Sequence, residues 1–252
     1  MNTNVFPSGE KPLGDDLFCF DCHPGVGCFG MCCKDVDMYL YPYDIIRMKN
    51  ALEMNSQAFL KKHTFSAFRD NPFFPSVMLK MADVPKKPCP FLVPQGCSIY
   101  EDRPSSCRTY PLERGVARAD GPSGRGDFYF LKRAEHCQGH AQDRQWQVDD
   151  WILDQQIQTY NVMNDLWVDL DSIFRSNPWG EGPDGEKKFR MAFMACFNVD
   201  GFRDFVLNST FLTRFDIAPE RINAMETDDV AMMRFGFEWV KFFLTGRPLF
   251  SD

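Results

Sequence analysis

The sequence predicts a helix-rich α+β protein, in which a small, irregular, cysteine-rich region with short strands precedes an α-helical region. Of the 10 cysteines, only Cys196 lies beyond residue 137. Glycine and proline are dense among the other cysteines, and this composition disfavours long regular elements there. From Trp146 onward, apolar residues recur at steps of three and four, which is the spacing of amphipathic helices. We therefore expect a cysteine-cluster domain at 1–142 and a helical region at 143–252.

The cysteine-rich region is predicted to contain few regular elements. Residues 1–17 are polar with scattered proline and glycine, which is typical of a tail or a surface wrap. Pro42 suits the first turn of a helix because its ring fixes φ near the helical value. Asn55 suits the N-cap of a second, short helix. The other predicted elements are strands at 36–40, 77–81 and 128–133, a loop at 70–76 and a turn at 119–127.

The second region is predicted to be a series of helices. Apolar residues from Trp151 to Phe174 repeat at helical spacing, and they predict one long helix or two helices joined near 161–164. Proline and glycine at 177–185 predict a break. Further helices are predicted at 187–197, 202–211 and 230–244.

Composition excludes several classes of protein. The net charge of −7 argues against a nucleic-acid partner, because binding to phosphates requires a surplus of lysine and arginine. We expect no membrane association, because no stretch is long and apolar enough to cross a bilayer. The N-terminus has neither the basic start nor the apolar run of a secretory signal. The sequence therefore predicts a cytoplasmic protein, whose thiols stay reduced and available to a metal ion.

Two cysteine-dense stretches carry the candidate chemistry. Thiolates bind zinc in groups of four, and they also hold iron–sulfur clusters. The expected cofactor is therefore zinc or iron, with an iron–sulfur cluster as one form of the iron. Eight thiols suffice for two four-ligand sites, or for one cluster with spare thiols. By sequence order, the candidate ligands are Cys22, Cys28, Cys32 and Cys33 in one set and Cys89, Cys97, Cys107 and Cys137 in the other.

Cys32 and Cys33 are adjacent in the chain. Neighbouring side chains tend to diverge, so the two thiols are poorly suited to bind one ion together. Either they serve two different metal ions, or one is a ligand and the other supports it. The spacing of the cysteines also differs from zinc ribbons and ferredoxins, and it therefore indicates a metal without identifying it.

Three other residues are alternative ligands. Cys19 could replace Cys22, although its position between two phenylalanines is equally typical of a buried side chain. His23 and His136 flank proposed ligands and could each replace a cysteine. A histidine beside a ligand is more often a hydrogen-bonding neighbour, and we prefer that interpretation for both.

Two arginines accompany the second cysteine stretch. Several thiolates around one ion leave negative charge, which nearby cations can balance. Arg103 and Arg108 lie in or beside this stretch. They either donate hydrogen bonds to sulfur or make ordinary loop contacts, and the sequence leaves both possibilities open.

The two cysteine stretches resemble the YkgJ-type CxxCxxCC cysteine-cluster family, whose domain is described as zinc- or iron-chelating. The more specific part runs from Cys89 to Pro111, where length, order and flanking residues agree. The segment around Cys137 and Gly139 is similar to a later element of that family. The first stretch departs from the family pattern, because five residues rather than two separate Cys22 from Cys28.

The resemblance covers roughly residues 18–140. It implies binding of zinc or iron and no settled reaction. Some relatives are linked to protein lysine methylation, as in flagellin modification, but no glycine-rich nucleotide loop supports that activity here.

Three functions remain open at the level of sequence. The preferred one is a metal-binding protein whose metal is mainly structural, because eight thiols saturate two sites and leave no position for a substrate. The second is an enzyme in which an iron–sulfur cluster or an open metal site assists a redox or group-transfer step. The third is a redox or metal sensor, whose protein partner docks on the helices rich in phenylalanine and methionine. Oligomeric state is not predicted.

Overall fold

The computed structural model describes residues 11–117 and 126–246, so most of the predicted turn at 119–127 lies outside the described residues. The strands are β1 (Phe18–Cys19), β2 (Tyr39–Leu40), β3 (Thr64–Ala67), β4 (Ser76–Leu79), β5 (Leu92–Val93), β6 (Gly96–Cys97), β7 (Leu112–Ala117), β8 (Gly126–Leu131) and β9 (Gln145–Trp146). The helices are α1 (Pro42–Ala51), α2 (Ser56–His63), α3 (Ser105–Thr109), α4 (Val148–Asp154), α5 (Ile157–Phe174), α6 (Gly182–Phe197), α7 (Val199–Leu207), α8 (Pro219–Thr227) and α9 (Asp229–Thr245).

The described strands form small antiparallel sheets rather than one large sheet. β4 lies between β2 and β3, whereas β5 with β6 and β7 with β8 form hairpins. β1 pairs with β9, so that Phe18 faces Trp146 and the start of the chain reaches the helical region. Helices account for 49% of the described residues, and the short strands of this part of the chain all precede α4. The predicted fold class is therefore confirmed.

The long apolar stripe of the sequence forms α4 and α5, but their junction lies at 155–156. The prediction of a junction near 161–164 is wrong, since α5 is continuous there. Gln156 has a φ of 53°, in the left-handed region that interrupts a helix. The side chain of Gln155 accepts a hydrogen bond from Arg103, and its carbonyl oxygen accepts one from Arg108. Tertiary contacts therefore fix the break.

The later helices follow the predicted order with one addition. α6 begins five residues before the predicted 187, and α7 ends at Leu207, before the predicted 211. α8 has no counterpart among the predictions. Proline at its first position suits a helix start, and Met225 anchors it in the core.

Two hydrophobic cores lie in the described residues. The larger contains buried side chains from both sides of residue 142, including Ile45, Phe74 and Phe174, so the two regions of the chain pack directly against each other. The ring of Phe74 lies 4.2 Å from that of Phe174. The smaller core surrounds the pairing of β1 with β9 and contains Phe18, Phe20, Leu112, Tyr129, Trp146, Trp151 and Ile157.

Asp44 is a buried carboxylate that ties α1 to α3. It accepts hydrogen bonds from the backbone N–H of Tyr41 at 3.0 Å and of Ser105 at 2.8 Å, and from the Ser105 hydroxyl at 3.2 Å. Burial raises the pKa of Asp44 to about 6, although these hydrogen bonds oppose the rise. The contact matters for the site described below because α3 also carries Cys107.

We expect the variant Asp44→Asn to alter the pH dependence of stability. Because the folded-state pKa lies above the ordinary value of 3.8, the folded chain holds this proton more tightly than the unfolded chain does. The stabilisation that this proton gives to the folded state is complete below pH 3.8, and it is lost as the pH rises through about 6. Between these limits, the wild type should lose about 3 kcal/mol of unfolding free energy relative to the variant.

Urea unfolding of both proteins across this pH range measures the difference, in which most other titrations cancel. Parallel pH profiles for the wild type and Asp44→Asn would contradict the assignment of a raised pKa to this carboxylate.

Candidate metal centre

Backbone contacts hold the first cysteine stretch against the second. Gly30 precedes the 3₁₀ turn that contains Cys33, and its φ of 72° lies in the left-handed region that favours glycine. The N–H of Cys89 donates to the carbonyl oxygen of Cys33 at 2.7 Å. Lys34 and Pro88 form an isolated β-bridge next to this contact. Residues 33 and 89 therefore lie side by side despite their separation in the sequence.

The β5–β6 hairpin brings Cys89 and Cys97 together. Cys97 faces Leu92 across the hairpin, and the N–H of Leu92 donates to the carbonyl oxygen of Cys89 at 3.0 Å. Burial raises the pKa of both thiols. Hydrogen bonds from the backbone of Phe91 and Leu92 to Cys89, and from that of Ile99 to Cys97, oppose this rise. Such bonds stabilise the thiolate, which is the form that binds metal.

Cys107 reaches the same area from α3. Its Sγ lies 3.9 Å from the Sδ of Met38. Although Cys107 is exposed, partial desolvation of its sulfur and the negative charges of Cys89 and Asp44 raise the pKa of Cys107 to about 12. The position of α3 therefore determines where this thiol lies.

Cys137 belongs to a segment that packs against the first cysteine stretch. The N–H of Gln138 donates to the Sγ of Cys28 at 3.2 Å, and the N–H of Asp21 donates to the carbonyl oxygen of Gly139 at 3.1 Å. Gly139 is required by close packing, because a Cβ there would lie 2.7 Å from the ring of Phe20. A contact across 110 residues thus places Cys137 beside Cys28.

The first thiol group surrounds Cys22. Burial and the negative charges of Cys32, Cys28 and Cys137 raise the pKa of Cys22 to about 11. These charges act on Cys22 because the other three sulfurs lie near it. The first thiol group consists of Cys22, Cys28, Cys32 and Cys137.

The second thiol group surrounds Cys33. Its hydrogen bond with Cys32, its burial and the charges of Cys107 and Cys89 all raise the pKa of Cys33. The charges of Cys32 and Cys97 in turn act on Cys107, so Cys32 also lies near this group. The second thiol group consists of Cys33, Cys89, Cys97 and Cys107. Hydrogen bonds hold Cys33 beside Cys89 and the segment of Cys137 against Cys28, so these neighbours differ from those of the sequence order.

Cys32 and Cys33 meet at the boundary between the two groups. Their Sγ atoms are 4.0 Å apart. The hydrogen bond from Cys33 lowers the pKa of Cys32 to about 7, whereas the same bond raises that of Cys33. The thiol of Cys33 therefore stabilises the thiolate form of Cys32.

The donor chemistry of the two thiol groups fits zinc or iron. Every described cysteine is a free thiol, and backbone N–H groups point at several of the sulfurs. Within residues 11–117 and 126–246, no three Cys, His, Asp or Glu side chains converge closely enough to hold an ion as they stand. Ligation therefore requires rotation of the side chains. Rotation between staggered χ1 positions costs little compared with the free energy of thiolate–metal binding.

The alternative ligands lie in less favourable positions. Cys19 lies in β1 opposite Gln145, whereas Cys22 lies beyond the strand, within the first thiol group. The Nδ1 atom of His23 accepts a hydrogen bond from the N–H of Gly25 at 3.1 Å, in keeping with a supporting role. Cys196 is buried in the larger core, as the sequence predicts.

Arg103 and Arg108 bind oxygen atoms in the structure. Arg103 donates to Gln155 and stacks over the ring of Tyr100 at 3.7 Å. Arg108 is 1% exposed and donates to the carbonyl oxygens of Gln155 and Glu101. The two arginines therefore fasten the second cysteine stretch to the start of the helical region. Sequence reasoning missed Gln155, because an isolated glutamine gives no signal of such a role.

Comparison with known proteins agrees with this site. The model of the CxxCxxCC family, described as "Putative zinc- or iron-chelating domain", matches residues 21–138. The matched segment includes both thiol groups, and it confirms the resemblance drawn from the cysteine stretches. No curated protein and no solved structure matches the chain. None of the helices in the described part of the chain combines the length and apolar character that a membrane span needs.

Proposed function

We propose that this protein holds zinc or iron through the eight cysteines of the two thiol groups, and that the metal is mainly structural. The observation that carries this proposal is the presence of eight free thiols within the matched segment 21–138, on stretches up to 115 residues apart that hydrogen bonds hold against one another. Backbone N–H groups directed at Cys28, Cys89 and Cys97 would stabilise the thiolates in the bound state.

A structural role follows from the saturation of the sites. Four thiolates complete the tetrahedral shell of zinc and leave no position for a substrate. Around the thiols, the strands are as short as two residues, and such elements supply little stability by themselves. Bound metal would therefore contribute folding free energy to this part of the chain. The abundance of free thiols favours a reducing compartment, and we place the protein in the cytoplasm.

Metal content after anaerobic purification tests the proposal. We expect elemental analysis to find zinc or iron in the wild type, and less of it in Cys107→Ser. Cys196→Ser is the matched control, because its thiol is buried in the helical core, and it should retain the wild-type content. Strong visible absorption would identify an iron–sulfur cluster, whereas a zinc protein would be colourless. Equal metal content in Cys107→Ser and Cys196→Ser, or a metal-free wild type, would refute the proposal.

A further inference from the structure

Cys32 and Cys33 occupy an unusual position, because these consecutive residues lie where the first cysteine stretch meets the second. Their sulfurs are 4.0 Å apart, yet their surroundings differ. Cys33 is fixed beside Cys89 by the backbone hydrogen bond of 2.7 Å. The preceding residues pack on the β5–β6 hairpin, since a Cβ at Gly30 would lie 3.3 Å from Leu92. Cys33 is therefore anchored to the second cysteine stretch.

The segment that carries Cys137 is anchored on the opposite side. The hydrogen bond from Gln138 to the sulfur of Cys28 and the bond from Asp21 to Gly139 join it to the stretch that contains Cys22. The bond from Asp21 to Gly139 joins two backbone groups, so it does not depend on the rotamers of the thiols.

We propose that Cys32 ligates one metal ion with Cys22, Cys28 and Cys137, while Cys33 ligates a second ion with Cys89, Cys97 and Cys107. This inference rests on the proposed function and adds the number of ions and the membership of each site. The two ions would lie on either side of a single peptide unit, and each would join distant parts of the chain. Cys33 and Cys137 flank the segment 34–136, so the two ions together would hold both of its ends.

Double substitutions distinguish this arrangement from one that follows sequence order. The same-group variant Cys22→Ser/Cys137→Ser is expected to retain one ion per chain, because the second thiol group stays intact. The cross-group variant Cys22→Ser/Cys33→Ser is expected to retain none, because each group loses a ligand. Grouping by sequence order predicts the opposite for both variants. Cys196→Ser should retain two ions and serves as the control.

Native mass spectrometry of anaerobically prepared proteins gives the ion count directly. The reversed pattern, or complete loss of metal from both double variants, would overturn the inference while the wild type still binds metal. A wild type that binds no metal would instead refute the proposed function. The two failures are therefore distinguishable.

Cadmium NMR of the wild type provides a second measurement that needs no variant and decides the matter if a double variant fails to fold. Cadmium is a thiolate-binding probe for zinc or iron sites, and its spin couples to the β-protons of each ligating cysteine. We expect two cadmium signals, with Cys137 coupled to the same ion as Cys22 and with Cys33 coupled to the same ion as Cys89. A single signal, or coupling of Cys22 and Cys33 to one ion, would overturn the inference.

Discussion

Removal of the metal by a strong chelator is expected to unfold the cysteine-rich region and to lower the unfolding midpoint by at least about 10 °C. Zinc or iron bound by thiolates adds its binding free energy to the folded state alone, and chelation removes that contribution. The strands near the thiols are two residues long in β5 and β6, so the remaining contacts there cannot replace it.

Hydrogen exchange and thermal melts measure this effect. After chelation, amides of the cysteine stretches at 22–33 and 89–107 should lose protection, whereas α1, α6, α7 and α9 should keep it because their side chains fill the larger core. Addition of the metal should restore both protection and the midpoint. Unchanged melting and exchange in the presence of the chelator would contradict a structural role for the metal.

The variant Arg108→Ala is expected to lose about 3 to 5 kcal/mol of unfolding free energy. Arg108 is fully buried, and its guanidinium donates to carbonyl oxygens of Gln155 at 2.6 Å and of Glu101. The same guanidinium lies 4.6 Å from the centre of the Tyr160 ring. Its removal leaves two buried carbonyl groups without these donors and creates a cavity beside α3. The unfolding free energy of Arg108→Lys should lie between those of the wild type and of Arg108→Ala, because one ammonium group cannot reproduce the planar set of donors of a guanidinium.

Urea unfolding with saturating metal measures these differences. Arg190→Ala is the matched control, because Arg190 is exposed and pairs with Glu186 on its own helix, so its removal should cost less than about 0.5 kcal/mol. A loss in Arg108→Ala no larger than in Arg190→Ala would show that the guanidinium does not hold α3 to the helical region.

Local patterns predicted the fold class and the candidate ligands. Helical spacing from Trp151 to Phe174 identified the start of the helical region, and proline at the first turn identified α1. The same proline signal stands at the start of α8, where Pro219 is followed by Ile222 and Met225, which are three residues apart.

Contacts between distant residues account for the features that the sequence did not predict. The junction of α4 and α5 depends on Arg103 and Arg108, which hold Gln155 from another part of the chain. The division of the thiols depends likewise on the bond from Gln138 to Cys28, across 110 residues. Spacing between cysteines reports only neighbours along the chain, so it cannot indicate which stretches the fold brings together.

The most direct test of metal binding by the cysteines compares the mass of the anaerobically purified wild type under native and denaturing conditions. We predict that the native mass exceeds that of the bare chain by bound zinc or iron. The denatured chain should then show the mass of ten free thiols, with no hydrogen lost to disulfides. A native mass equal to that of the metal-free chain, or a denatured mass reduced by disulfide formation, would contradict the account.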